Sequence, residues 1–146
     1  MTRVYLDACC LSRLTDDQSQ PRIVEEAIAI EKVFSLVRLG SVELISSEAL
    51  ADEVRRIRTT ARRLQVQTLL SLSIIEIEMD QRLSLRAAEL SRVGYGVYDS
   101  LHLAASELLG AVLLSTDDRF IKRAARRLGS PRTSVSNPVS WIREQK

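Results

Sequence analysis

Val4-Tyr5-Leu6-Asp7 and, far downstream, Ala111-Val112-Leu113-Leu114-Ser115-Thr116-Asp117-Asp118 decide the fold of this chain. Each is a short apolar run that ends in an acid. An uninterrupted apolar run reads as a strand covered on both faces, which is how strands of a parallel sheet look. In an α/β fold the carboxyl ends of such strands border the crevice where ligands bind. Acids at two such ends converge in space while remaining distant in sequence. Converging carboxylates repel one another, and a cation between them relieves the repulsion. The pair of strands therefore points to a divalent-metal site.

The remaining sequence supplies the helices and strands around them. Val42 to Ser46 reads as a second strand, Ile74 to Ile77 as a third, and Arg132 to Ser136 as a short last one. Pro21 and Gly40 bound a helix in which Ile23, Ala27, Ile30, Phe34 and Val37 recur at helical spacing. Ser46-Ser47 caps a helix carrying Glu48, Asp52 and Glu53, which continues to Leu72 with a break near Thr59-Thr60. Asp80 caps another that ends near Gly94. After the turn-rich link Gly94 to Tyr98, Asp99 opens a helix that Gly110 stops. Arg119 to Leu128 and the segment from Pro138 onward read as helical, and residues 8–20 as a polar connection. Strands alternating with helices predict one α/β domain over residues 1–146. Its central sheet is expected to be mainly parallel, with four or five strands, right-handed crossovers and helices on both faces.

Composition narrows the class further. The 146 residues, 45% hydrophobic and 27% charged, suit a globular domain with a proper core. No apolar run approaches the roughly 20 residues of a membrane-spanning helix. Met1 to Asp7 is too poor in apolar residues for a signal peptide, so a cytosolic protein is expected. Cys9 and Cys10 are adjacent, which disulfide geometry disfavours, and both thiols are expected to pack beside the first strand. With His102 as the single histidine, a Cys/His zinc site is excluded, and His102 itself reads as a satisfied core residue. No phosphate-binding loop or dinucleotide fingerprint is present. The Asp7-Ala8-Cys9 stretch also lacks the second aspartate that haloacid-dehalogenase-type phosphatases use.

Four acids are the site candidates: Asp7, Glu53, Asp99 and Asp117. Each has an ordinary alternative role. Asp7, Asp99 and Asp117 stand where helix caps stand, and Glu53 stands where a surface acid would pair with Arg56. Glu48 competes with Glu53, and Asp118 with Asp117. Ser115 and Thr116 offer hydroxyls that can orient a carboxylate. An oxygen-only donor set suits Mg²⁺ or Mn²⁺.

These stretches resemble the PIN domain, the nuclease fold of VapC-type toxins. Tyr5-Leu6-Asp7 resembles the opening strand and first acid of that family, and Ser47 with Glu53 its glutamate-bearing helix. Tyr98-Asp99-Ser100-Leu101-His102-Leu103-Ala104-Ala105 resembles its aspartate-led helix. Leu113-Leu114-Ser115-Thr116-Asp117-Asp118-Arg119-Phe120 resembles its last site strand and turn. The resemblance implies a metal-dependent endoribonuclease, the toxin of a toxin–antitoxin pair. Asp7, Asp99 and Asp117 would hold Mg²⁺ or Mn²⁺, and Glu53 would complete the cluster and orient the attacking water. It also implies an RNA substrate, a cognate antitoxin and a homodimer. One departure stands out: the family commonly has Asp-Thr-Asn where this chain has Asp7-Ala8-Cys9. That departure supports an alternative, a catalytically weak or inactive PIN-like module that binds RNA or protein.

The net charge of +2 does not announce a nucleic-acid binder, but local charge is arranged. Arg119, Lys122, Arg123 and Arg126 recur on one side of a helix, with Ile121, Ala125 and Leu128 opposite. Arg55, Arg56, Arg58, Arg62 and Arg63 follow Glu53. Both clusters begin beside site candidates, where they can meet phosphates or an acidic antitoxin segment. Aromatic residues are only 4%, so base stacking does not dominate recognition.

Overall fold

A computed structural model describes residues 1–145. Its strands are β1 (Thr2–Leu6), β2 (Val42–Ser47), β3 (Ile75–Ile77), β4 (Val112–Leu114) and β5 (Val135–Ser136). The helices are α1 (Ala8–Ser12), α2 (Pro21–Arg38), α3 (Glu48–Arg55), α4 (Thr60–Leu70), α5 (Gln81–Arg92), α6 (Val97–Leu109), α7 (Asp118–Ala125) and α8 (Pro138–Glu144). All four strand pairings are parallel, in the order β3-β2-β1-β4-β5. The chain thus builds outward from β1 in one direction, through β2 and β3, then returns to its other side with β4 and β5. The switch lies between β1 and β4, where an open α/β sheet leaves its crevice.

β1 is the axis of the molecule. Val4, Tyr5 and Leu6 are each 0% exposed although successive residues point to opposite faces, so both faces of the sheet are covered. Leu6 stands opposite Leu114, and the Asp7 amide donates to the Leu114 carbonyl at 3.2 Å. The ladder therefore carries Asp7 into register with the exit of β4. Phe34 of α2, Leu50 of α3, Leu103 of α6 and Phe120 of α7 close the core around these strands.

Several local expectations shift, each for a local reason. Residues 8–20 contain a helical turn, α1, because Asp7 caps it by accepting from the Cys10 amide at 2.9 Å. Asp99 does not open its helix: Gly96 occupies the cap position, and Val97 and Tyr98 form the first turn with it. The buried side of α7 is Phe120 and Ala124, whereas Ala125 is exposed and falls at the end of a helix shorter than expected. The break near Thr59-Thr60 does occur, between α3 and α4.

The largest unexpected feature is a buried acid. Glu26 on α2 is 2% exposed and lies among apolar neighbours on the helix's core stripe. It accepts from Arg13 Nε at 2.8 Å, Arg22 Nε at 3.2 Å and Asn137 Nδ2 at 2.7 Å. Arg22 in turn donates to the Thr116 carbonyl at 3.0 Å and to both carboxylate oxygens of Asp118, at 2.8 and 2.9 Å. One buried carboxylate thereby fastens the α1–α2 connection, the cap of α8 and the β4–α7 turn to one another. Truncating it strands several donors at once. Glu26→Ala is expected to cost roughly 3 kcal/mol of folding free energy, read as a lowered urea midpoint.

Candidate metal centre at the sheet edge

The four acids reach the crevice from four different elements. Asp7 leaves the end of β1, and Asp117 follows β4 on the neighbouring strand. A helix that leads into a parallel strand begins at the strands' carboxyl edge, so α6 brings Asp99 there in its first turn. α3 leaves β2 at the same edge and carries Glu53 over α6. Because Gly96 rather than Asp99 takes the cap position, the Asp99 carboxylate is released from capping and left to the crevice.

Burial and mutual repulsion appear in the acid strengths. Asp7 is buried, and desolvation pushes its carboxyl up, opposed by the Ser115 hydroxyl and the Cys10 amide. Desolvation pushes Asp99 up to about 6, with Asp7, Asp117 and Glu53 adding to it and His102 opposing. Cys9 is exposed, unlike buried Cys10, and lies at the mouth of the crevice, correcting the expectation that both thiols pack away. Although open on one side, its thiol is pushed up to about 12, first by desolvation and then by Asp7, Glu53, Asp117 and Asp99. All four carboxylates are thus within electrostatic reach of a common neighbour.

Three of the four are nevertheless turned onto protein donors. Asp7 Oδ1 holds the Cys10 amide. Asp117 Oδ1 caps α7, accepting from the amides of Arg119 at 3.0 Å and Phe120 at 3.3 Å, and the Ser115 hydroxyl accepts from the Asp117 amide at 3.1 Å. Glu53 Oε1 is 2.8 Å from His102 Nε2. Among the described residues no three His, Cys, Asp or Glu side chains are drawn into metal-ligating geometry. The donor set itself fits a hard divalent cation: all oxygen and partly desolvated, with Glu53 raising Asp7, and Asp7, Asp117 and Glu53 raising Asp99.

The two competing acids are placed elsewhere. Glu48 Oε1 accepts from the Met79 amide at 2.7 Å, beyond the end of β3. Asp118 is exposed and committed to Arg22. The basic clusters also separate. Arg55 and Arg56 pair with Asp52, and Arg62 pairs with Asp16. Among the described residues, Arg119, Lys122, Arg123 and Arg126 of the α7 region enter no salt bridge. His102 is the residue whose contact with the site sequence reasoning missed. Positions 99 and 102 lie one helical turn apart on the same side of α6, but the contact with Glu53 also requires α3 to lie across α6.

The sequence model of the family described as PIN domain matches residues 4–126. The chain belongs to the PIN domain family. No curated protein matches it. Solved structures share the PIN fold at low identity. VapBC-1 from nontypeable Haemophilus influenzae is 14% identical, with a TM-score of 0.62 over 94% of this chain and 98% of that one. VapBC2 from Rickettsia felis, bound to a DNA fragment from their promoter, is 14% identical, with a TM-score of 0.59 over 92% and 98%. FitAB bound to an IR36 DNA fragment is 16% identical, with a TM-score of 0.57 over 93% and 95%. No helix among the described residues is long and apolar enough to cross a membrane.

The raised Asp99 carboxyl makes a stability prediction for this PIN domain. Its folded pKa of about 6 exceeds the ordinary carboxylate value, so the folded chain binds the proton more tightly than the unfolded one. Stability therefore falls as pH rises from about 4 through about 6, and the loss persists at pH 7. Without divalent cations, Asp99→Asn is expected to stabilise the fold at pH 7 by on the order of 1–2 kcal/mol after solvent screening, and by little at pH 4. Thermal unfolding of both proteins at the two pH values checks this.

Proposed function

We propose that this PIN domain is a Mg²⁺- or Mn²⁺-dependent endoribonuclease and the toxin of a toxin–antitoxin pair. The observation that carries the reading is the electrostatic convergence of Asp7, Glu53, Asp99 and Asp117 on one crevice at the β1–β4 switch. PIN domains are generally nucleases and generally use divalent metal ions. A bound divalent cation supplies activation of water and stabilisation of charge on the scissile phosphate.

The chain's own residues have separable roles in this reading. Asp7, Asp99 and Asp117 would hold the cation. His102 occupies Glu53 Oε1, which leaves Oε2 to receive a proton from the attacking water. Arg119 and Lys122 on α7, which starts beside Asp117, and Arg126 at its C-cap are exposed, where they would neutralise backbone phosphates leading to the crevice. The arginines beside Glu53 are partly neutralised by Asp52 and Asp16, so α7 is the stronger phosphate track. A cognate antitoxin belongs to the same reading, supported by the fold shared with the VapBC and FitAB structures, and a homodimer is what the family resemblance adds to it. Exposed Leu85, Val93, Val97 and Leu108, on and beside α5 and α6, offer apolar surface for a protein partner. The alternative of a weak or inactive binding module draws on Cys9, which stands at the crevice in place of the family's asparagine.

Incubation with structured and unstructured RNA separates the two. Cleavage is expected with Mg²⁺ or Mn²⁺, suppressed by EDTA, and lost in Asp7→Asn and Asp99→Asn while both variants stay folded. Cleavage by either variant at the wild-type rate removes this mechanism, and failure of the wild type to bind Mn²⁺ favours the inactive module. For RNA binding, each of Arg119→Ala, Lys122→Ala and Arg126→Ala is expected to lower the salt slope of log affinity by about one. Filter binding over a salt series measures it.

A further inference from the structure

Glu53 is joined to a buried chain of polar groups that runs back to the start of its own helix. The Leu50 amide donates to Ser47 Oγ at 3.1 Å, which is the N-cap bond of α3. Ser47 Oγ lies 2.7 Å from the Tyr5 hydroxyl, and that hydroxyl lies 2.6 Å from His102 Nδ1. His102 Nε2 then meets Glu53 Oε1 at 2.8 Å. Ser47, Tyr5 and His102 are at most 1% exposed, so water does not interrupt the chain. The imidazole is also fixed in plane. Tyr98 stacks on it at 6.0 Å with a 19° tilt, and Tyr5 leans on it at 5.3 Å. The Tyr98 hydroxyl donates to Asp52 Oδ2 at 2.7 Å, tying α3 to α6 a second time.

The chemistry of the groups sets the direction of the last link. A carboxylate only accepts, so Nε2 must carry a proton to bond Glu53, whatever the charge of the ring. Tyr5 and Ser47 hydroxyls each donate and accept, so the chain closes without an unpaired buried atom. A histidine used only as core filler needs partners for its nitrogens. It does not need one of them to be a carboxylate at the rim of an acidic crevice.

We propose that His102 is the positioning residue of this site: the Ser47–Tyr5–His102 chain holds the Glu53 carboxylate in the crevice at a set angle. This rests on the reading of the four acids as a metal site, because positioning matters only if Glu53 works there. Removing a link frees Glu53 to swing away from the other acids. Partners of this kind are worth roughly 10- to 100-fold in metal affinity where they have been removed.

The test has two independent readouts. His102 is the single histidine, so ¹⁵N-histidine labelling gives one pair of ring signals without assignment. In the metal-free wild type, Nε2 is expected to be protonated, and a proton-free Nε2 overturns the proposal. Calorimetric titration with Mn²⁺ is then run on wild type, Tyr5→Phe, His102→Gln and His102→Leu, each checked by thermal unfolding. Tyr5→Phe keeps the ring and removes the hydroxyl, and it is expected to weaken Mn²⁺ binding roughly 10-fold or more. His102→Gln, which keeps a donor for Glu53, is expected to lose less than His102→Leu. Should Tyr5→Phe fail to fold, the comparison of the two His102 variants decides alone. Wild-type affinity in His102→Leu overturns the positioning role. If the wild type binds no Mn²⁺, the metal reading falls by itself, and the protonation of Nε2 still decides whether the chain donates to Glu53.

Discussion

β1 is enclosed on all sides over Val4–Leu6. It is hydrogen-bonded to β2 on one edge and β4 on the other, and apolar packing seals both faces of Val4–Leu6. A strand held this way presents whatever follows it at a fixed point, and here an aspartate follows. Every other site element is measured from that point. β4 delivers Asp117 because its register with β1 is set at Leu6–Leu114. α6 delivers Asp99 because it must return to the start of β4. α3 delivers Glu53 because it leaves β2, the strand on β1's other side. The crevice is a by-product of sheet topology, and the acids exploit it.

Electrostatics then works against the arrangement. Burying acids near one another disfavours their charged forms, as the raised carboxyls of Asp7 and Asp99 show. The fold tolerates this by giving the other carboxylates local donors: helix amides for Asp117, an imidazole for Glu53. It also diverts the acids that are not needed. Asp118 is neutralised by Arg22, and Glu48 is tied beyond β3. Adjacent aspartates after β4 thus acquire opposite fates, one turned inward onto α7's amides and one outward onto α2.

Much of this was legible in the residues. The apolar runs ending in acids located β1 and β4, and Pro21, Gly40, Asp80 and Gly110 marked helix ends close to where they occur. Asp7, Asp99 and Asp117 stand out in the sequence because they follow strand ends or fall in a helix's first turn, whereas Glu53, late in α3, has no such marker. What escaped was anything that depends on a partner distant in sequence. Nothing in the sequence marks Glu26, since its partners Arg13, Arg22 and Asn137 belong to separate segments. His102 looked like core filler for the same reason. Its link to Glu53 exists only because α3 crosses α6. The role of Gly96 was hidden by a stronger local rule, the preference of aspartate for the cap position, which the preceding glycine overrode.

The bond between Glu26 and Asn137 spans 111 residues. β1, the first strand made, likewise lacks one neighbour until residues 112–114 exist. On a ribosome the early half of this chain can form helices, but its central strand stays half-paired and its buried acid under-bonded until the later half has emerged. Long-range closure of this kind is slow and postpones folding until the later elements have emerged. The four acids therefore come together late, after Asp117 has left the exit tunnel. A nascent chain of this design carries no assembled crevice until residue 117 has been made and released.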